Sequence, residues 1–216
     1  MATLTLTAVR TLTAVRADRL ARRLGQLAVG LTLYGSSLAL MVRAGLGVGP
    51  WDVLNQGLTR HLGLSMGAWV TVVGALVLLF WIPLRQRPGV GTVANVLTLG
   101  VAMDLTLDLL PAPHALLPRL ALLAAGVLLN GLATGLYIGA RLGPGPRDGL
   151  MTALHRRTGR SVRLIRTCIE VTVLAIGVLL GGDAGLGTVA YALAIGPLAQ
   201  FFLPRCTVPG TETRIE

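Results

Sequence analysis

Gly47-Val48-Gly49-Pro50-Trp51-Asp52-Val53-Leu54 returns later in the chain as Gly143-Pro144-Gly145-Pro146-Arg147-Asp148-Gly149-Leu150, an offset of 96 residues (143 − 47 = 96). Gly allows a sharp backbone turn. Pro fits the first position of a helix, where its missing N–H costs little. Asp two residues later falls in the first turn, beside free N–H groups and the positive end of the helix dipole. Each copy reads as the start of a short broken or re-entrant helix.

The same offset holds outward from this pair without a gap. It matches Gly30 with Gly126, Gly35 with Gly131, Gly63 and Ser65 with Gly159 and Ser161, and Gly100 with Gly196. It also matches Gly89-Val90-Gly91-Thr92-Val93-Ala94 with Gly185-Leu186-Gly187-Thr188-Val189-Ala190. Small residues recur by chance in apolar sequences, but one ungapped register across several motifs does not.

The rest of the chain is apolar. Of 216 residues 53% are hydrophobic and only 13% charged, and the mean hydropathy is +0.73. A soluble domain carries about 25% charged residues. Six runs, roughly 24–44, 67–84, 90–110, 116–140, 162–181 and 186–204, have the length a bilayer requires. The expected fold is all-α and polytopic, with six transmembrane helices arranged as two three-helix units. Residues 24–110 form the first unit and 116–205 the second, after a basic leader, 1–23, and before a short tail, 206–216. The leader carries a tandem TLTAVR hexamer and reads as a mobile or interfacial cytoplasmic segment. Three crossings per unit put the second unit upside down, with a pseudo-two-fold axis in the membrane plane.

The charge supports one orientation. Net charge is +10, and every basic residue is Arg. With the N-terminus inside, the inner segments hold the leader arginines, Arg85, Arg87, the seven from Arg141 to Arg166, Arg205 and Arg214. The outer segments hold only Arg43, Arg60 and Arg119. That asymmetry places both termini in the cytoplasm. It also accounts for the basic charge without nucleic acid, for which no recognition motif is present.

LGVGPWDVLNQGL, then GLS, then GVGT in the first unit resembles the YczE-like family of bacterial membrane proteins, relatives of the YitT-like group. GPGPRDGLMTALHRRTGRS, RTCIE and GLGTVAYALAIGPLAQ in the second unit resemble the same family. The likeness covers roughly residues 25–205 and implies a multi-pass inner-membrane protein, without implying a particular activity.

Candidate site residues follow from polarity inside the spans. Asp52 and Asp148 either cap their own helices or face a solute or ion. Arg147 takes the place of Trp51 and either binds an anion or neutralises Asp148; Trp51 and Trp69 are alternatively interfacial anchors. Glu170 lies within the fifth span and either pairs with Arg166, four residues earlier, or serves as a proton or cation relay. Asp104 corresponds to Gln200, so the two either share a lining role or make interhelical hydrogen bonds. Thr92 and Thr188 are expected to cap helices, and Cys168 to be a small buried packing residue. No metalloprotease, nucleophile-elbow, phosphate-loop or dinucleotide motif appears, so no enzyme activity, cofactor or metal is expected. The leading expectation is a small-solute or ion permease in the lipid bilayer. Its rival is a membrane scaffold or regulatory subunit that recruits cytosolic proteins, with Arg141 to Arg166 as its docking face or its lipid contact; a homodimer is a further partner to expect.

Overall fold

The computed structural model describes residues 2–208, with side chains from residue 19 onward. The side chains of the leader hexamers, those of Arg10 and Arg16 among them, and the whole of Arg214 lie outside what the structure describes. Among the described residues eight helices follow one another: α1 (Ala2–Ala44), α2 (Pro50–Leu62), α3 (Met66–Leu79), α4 (Val90–Leu109), α5 (Leu116–Gly139), α6 (Pro146–Thr158), α7 (Val162–Leu179) and α8 (Leu186–Cys206). No strand occurs among the described residues.

The boundaries obey local grammar at both copies of each motif. Gly49 and Gly145 stand before α2 and α6 with Pro at the first helical position. Both helices end on left-handed glycines, Gly63 (φ 73°) and Gly159 (φ 67°). Ser65 and Ser161 cap α3 and α7 through their hydroxyls. Thr92 and Thr188 cap α4 and α8 as expected, each hydroxyl accepting the N–H of the preceding Gly89 or Gly185 at 3.1 Å.

Among the described residues four helices are long and apolar enough to cross a membrane: Arg19–Ala44 of α1, α4, α5 and α8. The bent pair α2–α3, turned by 113°, makes a fifth if counted as one span. Helix α3 has 14 residues, about 21 Å at 1.5 Å per residue, against about 30 Å of hydrocarbon. Helix α7 is longer but carries Arg163, Arg166 and Glu170. The interior is largely apolar, with Ser37, Asn55, Thr92 and Asn130 buried within it, while Leu97, Leu109, Leu117 and Leu193 are exposed. An exterior so rich in leucine suits a protein whose outer solvent is lipid.

Glycines set the helix directions. Gly30 lies against Leu136 and Tyr137, and Gly126 against Ser37 and Met41, so α1 and α5 run antiparallel. Asn130 Nδ2 donates to Ser37 Oγ at 2.8 Å across this contact. Gly35 meets Leu99 and Ala102, and Ser36 Oγ accepts from Thr106 Oγ1 at 2.9 Å, which makes α1 and α4 parallel. Gly131, Gly135 and Gly139 meet Leu198, Phe202 and Cys206, so α5 and α8 are parallel as well. Gln26 Nε2 donates to the Cys206 carbonyl at 2.7 Å, joining the beginning of the α1 span to the end of α8.

Each half reaches into the other at its glycine turns. Gly91 N donates to Leu142 O at 2.8 Å, and Gly187 N donates to Leu46 O at 2.7 Å. The starts of α4 and α8 thus dock on the loops that precede α6 and α2. Gly47 (φ 104°) and Gly143 (φ 126°) form those loops in a conformation that disfavours any side chain. Because those docks sit at opposite ends of α1, the α3–α4 and α7–α8 connections occupy opposite faces of the molecule. The far end of α2 is tied to the α7–α8 connection by Arg60 and Asp183 at 2.7 Å. The far end of α6 is tied to the α3–α4 connection by Arg157 and the Pro83 carbonyl at 2.9 Å.

The halves differ in one packing relationship. Helix α3 presses on α4 where Gly67 meets Gly100, leaving no room for a Cβ on either. Their counterparts are Arg163 and Gly196, and a Cβ on Gly196 would meet nothing within 4 Å. Cys168 on α7 is exposed rather than buried, because that helix faces outward there.

Candidate functional site

The short helices α2 and α6 point their N-termini at each other. Each starts from an extended glycine, and the Asp in its first turn folds back: Asp52 Oδ2 comes close to Gly49 and Asp148 Oδ2 close to Gly145. Helix α6 is seated on Trp81, whose Nε1 donates to the Pro146 carbonyl at 3.1 Å and whose ring covers Gly149. Where the two ends meet, the guanidinium carbon of Arg147 stands 4.7 Å from the centre of the Trp51 ring. Such a contact contributes about 2 kcal/mol or more when desolvated. Trp51 is buried here and is not an interfacial anchor.

Two clefts flank this contact. One, about 60 Å³, is lined by Pro50, Trp51, Asp52, Arg147, Asp148, Arg166, Glu170 and Tyr191. The other, about 50 Å³, is lined by Val70, Gly74, Asn95, Gly145, Pro146, Arg147 and Asp148. Tyr34 lines both. At the 96-residue offset Val70, Gly74 and Asn95 in one stand where Arg166, Glu170 and Tyr191 stand in the other, while Arg147 and Asp148 line both. The first cleft is therefore the more heavily charged of the two.

Four of the six candidate residues, Asp52, Arg147, Asp148 and Glu170, come together in the first cleft. Asp52 is 3% exposed, and its only side-chain hydrogen bond among the described residues is a long one, 3.4 Å from Asn55 Nδ2. Asp148 accepts a hydrogen bond from the Tyr137 hydroxyl. Glu170 pairs with Arg166 at 2.8 Å. Three carboxylates thus face two guanidiniums, an excess of one negative charge when all are ionised. Each such group costs about 2.5–3.5 kcal/mol to bring to mid-membrane on insertion scales, so together they demand water, a partner or a solute.

Asp104 and Gln200 are elsewhere. Asp104 accepts from Ser65 Oγ at 2.6 Å and from Gly67 N at 2.8 Å, holding the start of α3 against α4. Gln200 is exposed on α8. Residues that sequence reasoning missed are Tyr34, Tyr137 and Tyr191, all the tyrosines of the chain. Tyr34 and Tyr137 meet edge to face at 5.8 Å, and Tyr191 Oη donates to Asn130 Oδ1 at 3.3 Å. Tyr34 lies well inside its apolar run, whereas Tyr137 and Tyr191 lie near an end of theirs, where an aromatic reads as an interfacial anchor.

Relatives carry the same core. A protein of Haemophilus influenzae described as "Uncharacterized protein" is 39% identical over 173 residues, covering 80% of this chain and 79% of its own length. "Uncharacterized membrane protein YczE" of Bacillus subtilis is 35% identical, covering 80% of each chain. "Uncharacterized protein YyaS" of Bacillus subtilis is 26% identical, covering 82% of this chain and 90% of its own. No solved structure matches. The family described as "Family of unknown function (DUF6198)" matches residues 21–204, from the first span to the end of the last. The chain therefore belongs to that family and is a YczE-like membrane protein.

Proposed function

We propose that the protein is a permease for a small polar solute or ion, bound between the two half-helices. The supporting observation is the stacking of Arg147 on Trp51, which brings two helix N-termini and three carboxylates into one cleft. Gly/Pro-interrupted helices at matching places in two repeats are a recurrent way to build such a site. In this reading α1, α3, α4, α5, α7 and α8 cross the bilayer as two inverted three-helix units, with α2 and α6 entering from opposite leaflets. The antiparallel α1–α5 pair, the parallel α1–α4 and α5–α8 pairs and the arginine asymmetry support it, with both termini cytoplasmic. Transport is one unit rocking on the other, and the unequal α3–α4 and α7–α8 packing gives the motion a direction in which to open.

Asp52 and Asp148 orient the solute, Arg147 balances them, and the Arg166–Glu170 pair forms the wall. The test is a thermal-shift screen of small polar solutes and ions on purified protein, followed by uptake into proteoliposomes. A hit stabilises the wild type, is taken up, and loses both effects in Asp148→Asn. Should Asp52→Asn and Asp148→Asn keep full cellular function while changes at Arg156, Arg157 and Arg160 abolish it, a scaffold that recruits a cytosolic protein replaces the permease.

A further inference from the structure

A second feature stands apart from the cleft. A polar groove of about 500 Å³ is lined by Arg85, Gln86, Ala153, Arg156 and Arg157, between the α3–α4 connection and α6. It continues into an apolar groove of about 640 Å³ along Phe80, Leu150, Leu154 and Ile169. Pro83, Leu84 and Arg157 line both. The arginines have no acidic partner among the described residues. Arg156 bonds Gln86, Arg157 bonds the Pro83 carbonyl, and Arg85 makes no side-chain hydrogen bond there.

The opposite face shows what a satisfied version looks like. Arg156 corresponds to Arg60, which is neutralised by Asp183 at 2.7 Å. Asp183 in turn corresponds to Arg87, and Gly181 (φ 77°) to Arg85 (φ 52°). So the position that holds the counter-charge on one face holds another arginine on this one. Arg85 moreover keeps a left-handed backbone that its glycine counterpart adopts freely.

We propose that this double groove binds one anionic phospholipid. Its phosphate sits on Arg85, Arg156 and Arg157, and an acyl chain runs along Phe80, Leu154 and Ile169. Basic pockets between membrane helices suit such headgroups, and guanidiniums suit phosphate geometry. The lipid joins the α3–α4 connection of the first half to α6 of the second, and so braces a half-helix that ends in the cleft.

The test measures the melting temperature of the full-length protein in neutral detergent, titrated with phosphatidylglycerol, phosphatidylcholine or soluble glycerol phosphate. Phosphatidylglycerol should stabilise the wild type, the other two should not, and Arg85→Gln with Arg156→Gln should weaken the lipid's effect about fivefold per arginine. Arg85→Lys with Arg156→Lys, which keeps the charge, should retain most of it. Equal stabilisation by phosphatidylcholine overturns the proposal in favour of ordinary lipid contact. Equal stabilisation by glycerol phosphate makes the site one for a free anion. An unchanged response in the glutamine variant removes the arginines from it. These outcomes concern lipid alone and leave the permease reading to its own solute screen.

Discussion

Arg147 stacks on Trp51, and the two occupy the same position in the two halves of the chain, second in a half-helix that begins Gly-Pro. This contact is where α2 and α6 meet, and Asp52, Asp148, Arg166 and Glu170 line the cleft beside it.

Removing one carboxylate from this cleft should silence solute binding without unfolding the protein. Asp52→Asn keeps the shape and loses one charge. A hydrogen bond to a charged group is worth about 1.5–3 kcal/mol, so affinity should fall about tenfold to a hundredfold. The shift in melting temperature with solute reads this directly.

Tyr137→Phe deletes the only side-chain donor to Asp148 among the described residues. Leaving a buried acceptor short of its donor costs about 1–3 kcal/mol. Denaturant unfolding should show that loss. Tyr191→Phe should cost less, since its bond to Asn130 is long at 3.3 Å.

The two halves should respond unequally to the same substitution. Gly100→Ala puts a methyl into the Gly67 carbonyl and the Thr71 hydroxyl, whereas Gly196→Ala enters open space. Overpacking costs about 1–3 kcal/mol, and a change at an open position stays within about 0.5 kcal/mol. Paired melting curves decide it: equal effects would remove the packing difference between α3–α4 and α7–α8.

Asp104→Ala should weaken the start of α3 by about 0.5–2 kcal/mol, the range for a lost helix cap. It should leave solute affinity unchanged, because its carboxylate is spent on Ser65 and Gly67. A binding titration on the variant checks the second half of that statement.

Much of this architecture was legible in contiguous residues. Gly-Pro before α2 and α6 and Gly-x-Gly-Thr before α4 and α8 act within a few positions of where they stand. The sequence alone therefore located these helix starts and, through them, Asp52, Arg147 and Asp148. Glu170 followed from its spacing to Arg166. The rest depends on contacts between distant segments. Asp104 and Gln200 share a register, but Asp104 is used by Ser65, 39 residues away, across a helix pair that packs closely in only one half. The tyrosines converge from α1, α5 and α8, and no local pattern links them. Cys168 sits in an apolar run, yet hydropathy does not say which side of α7 faces the protein.

The central claim is that α2 and α6 enter from opposite leaflets and meet at Trp51 and Arg147. In a background with Cys168 and Cys206 replaced by serine, single cysteines at Leu62 and Thr158, the ends of the two half-helices, should be labelled by a membrane-impermeant maleimide from opposite sides of the membrane. Labelling of both from one side would contradict the inverted arrangement and, with it, the shared cleft.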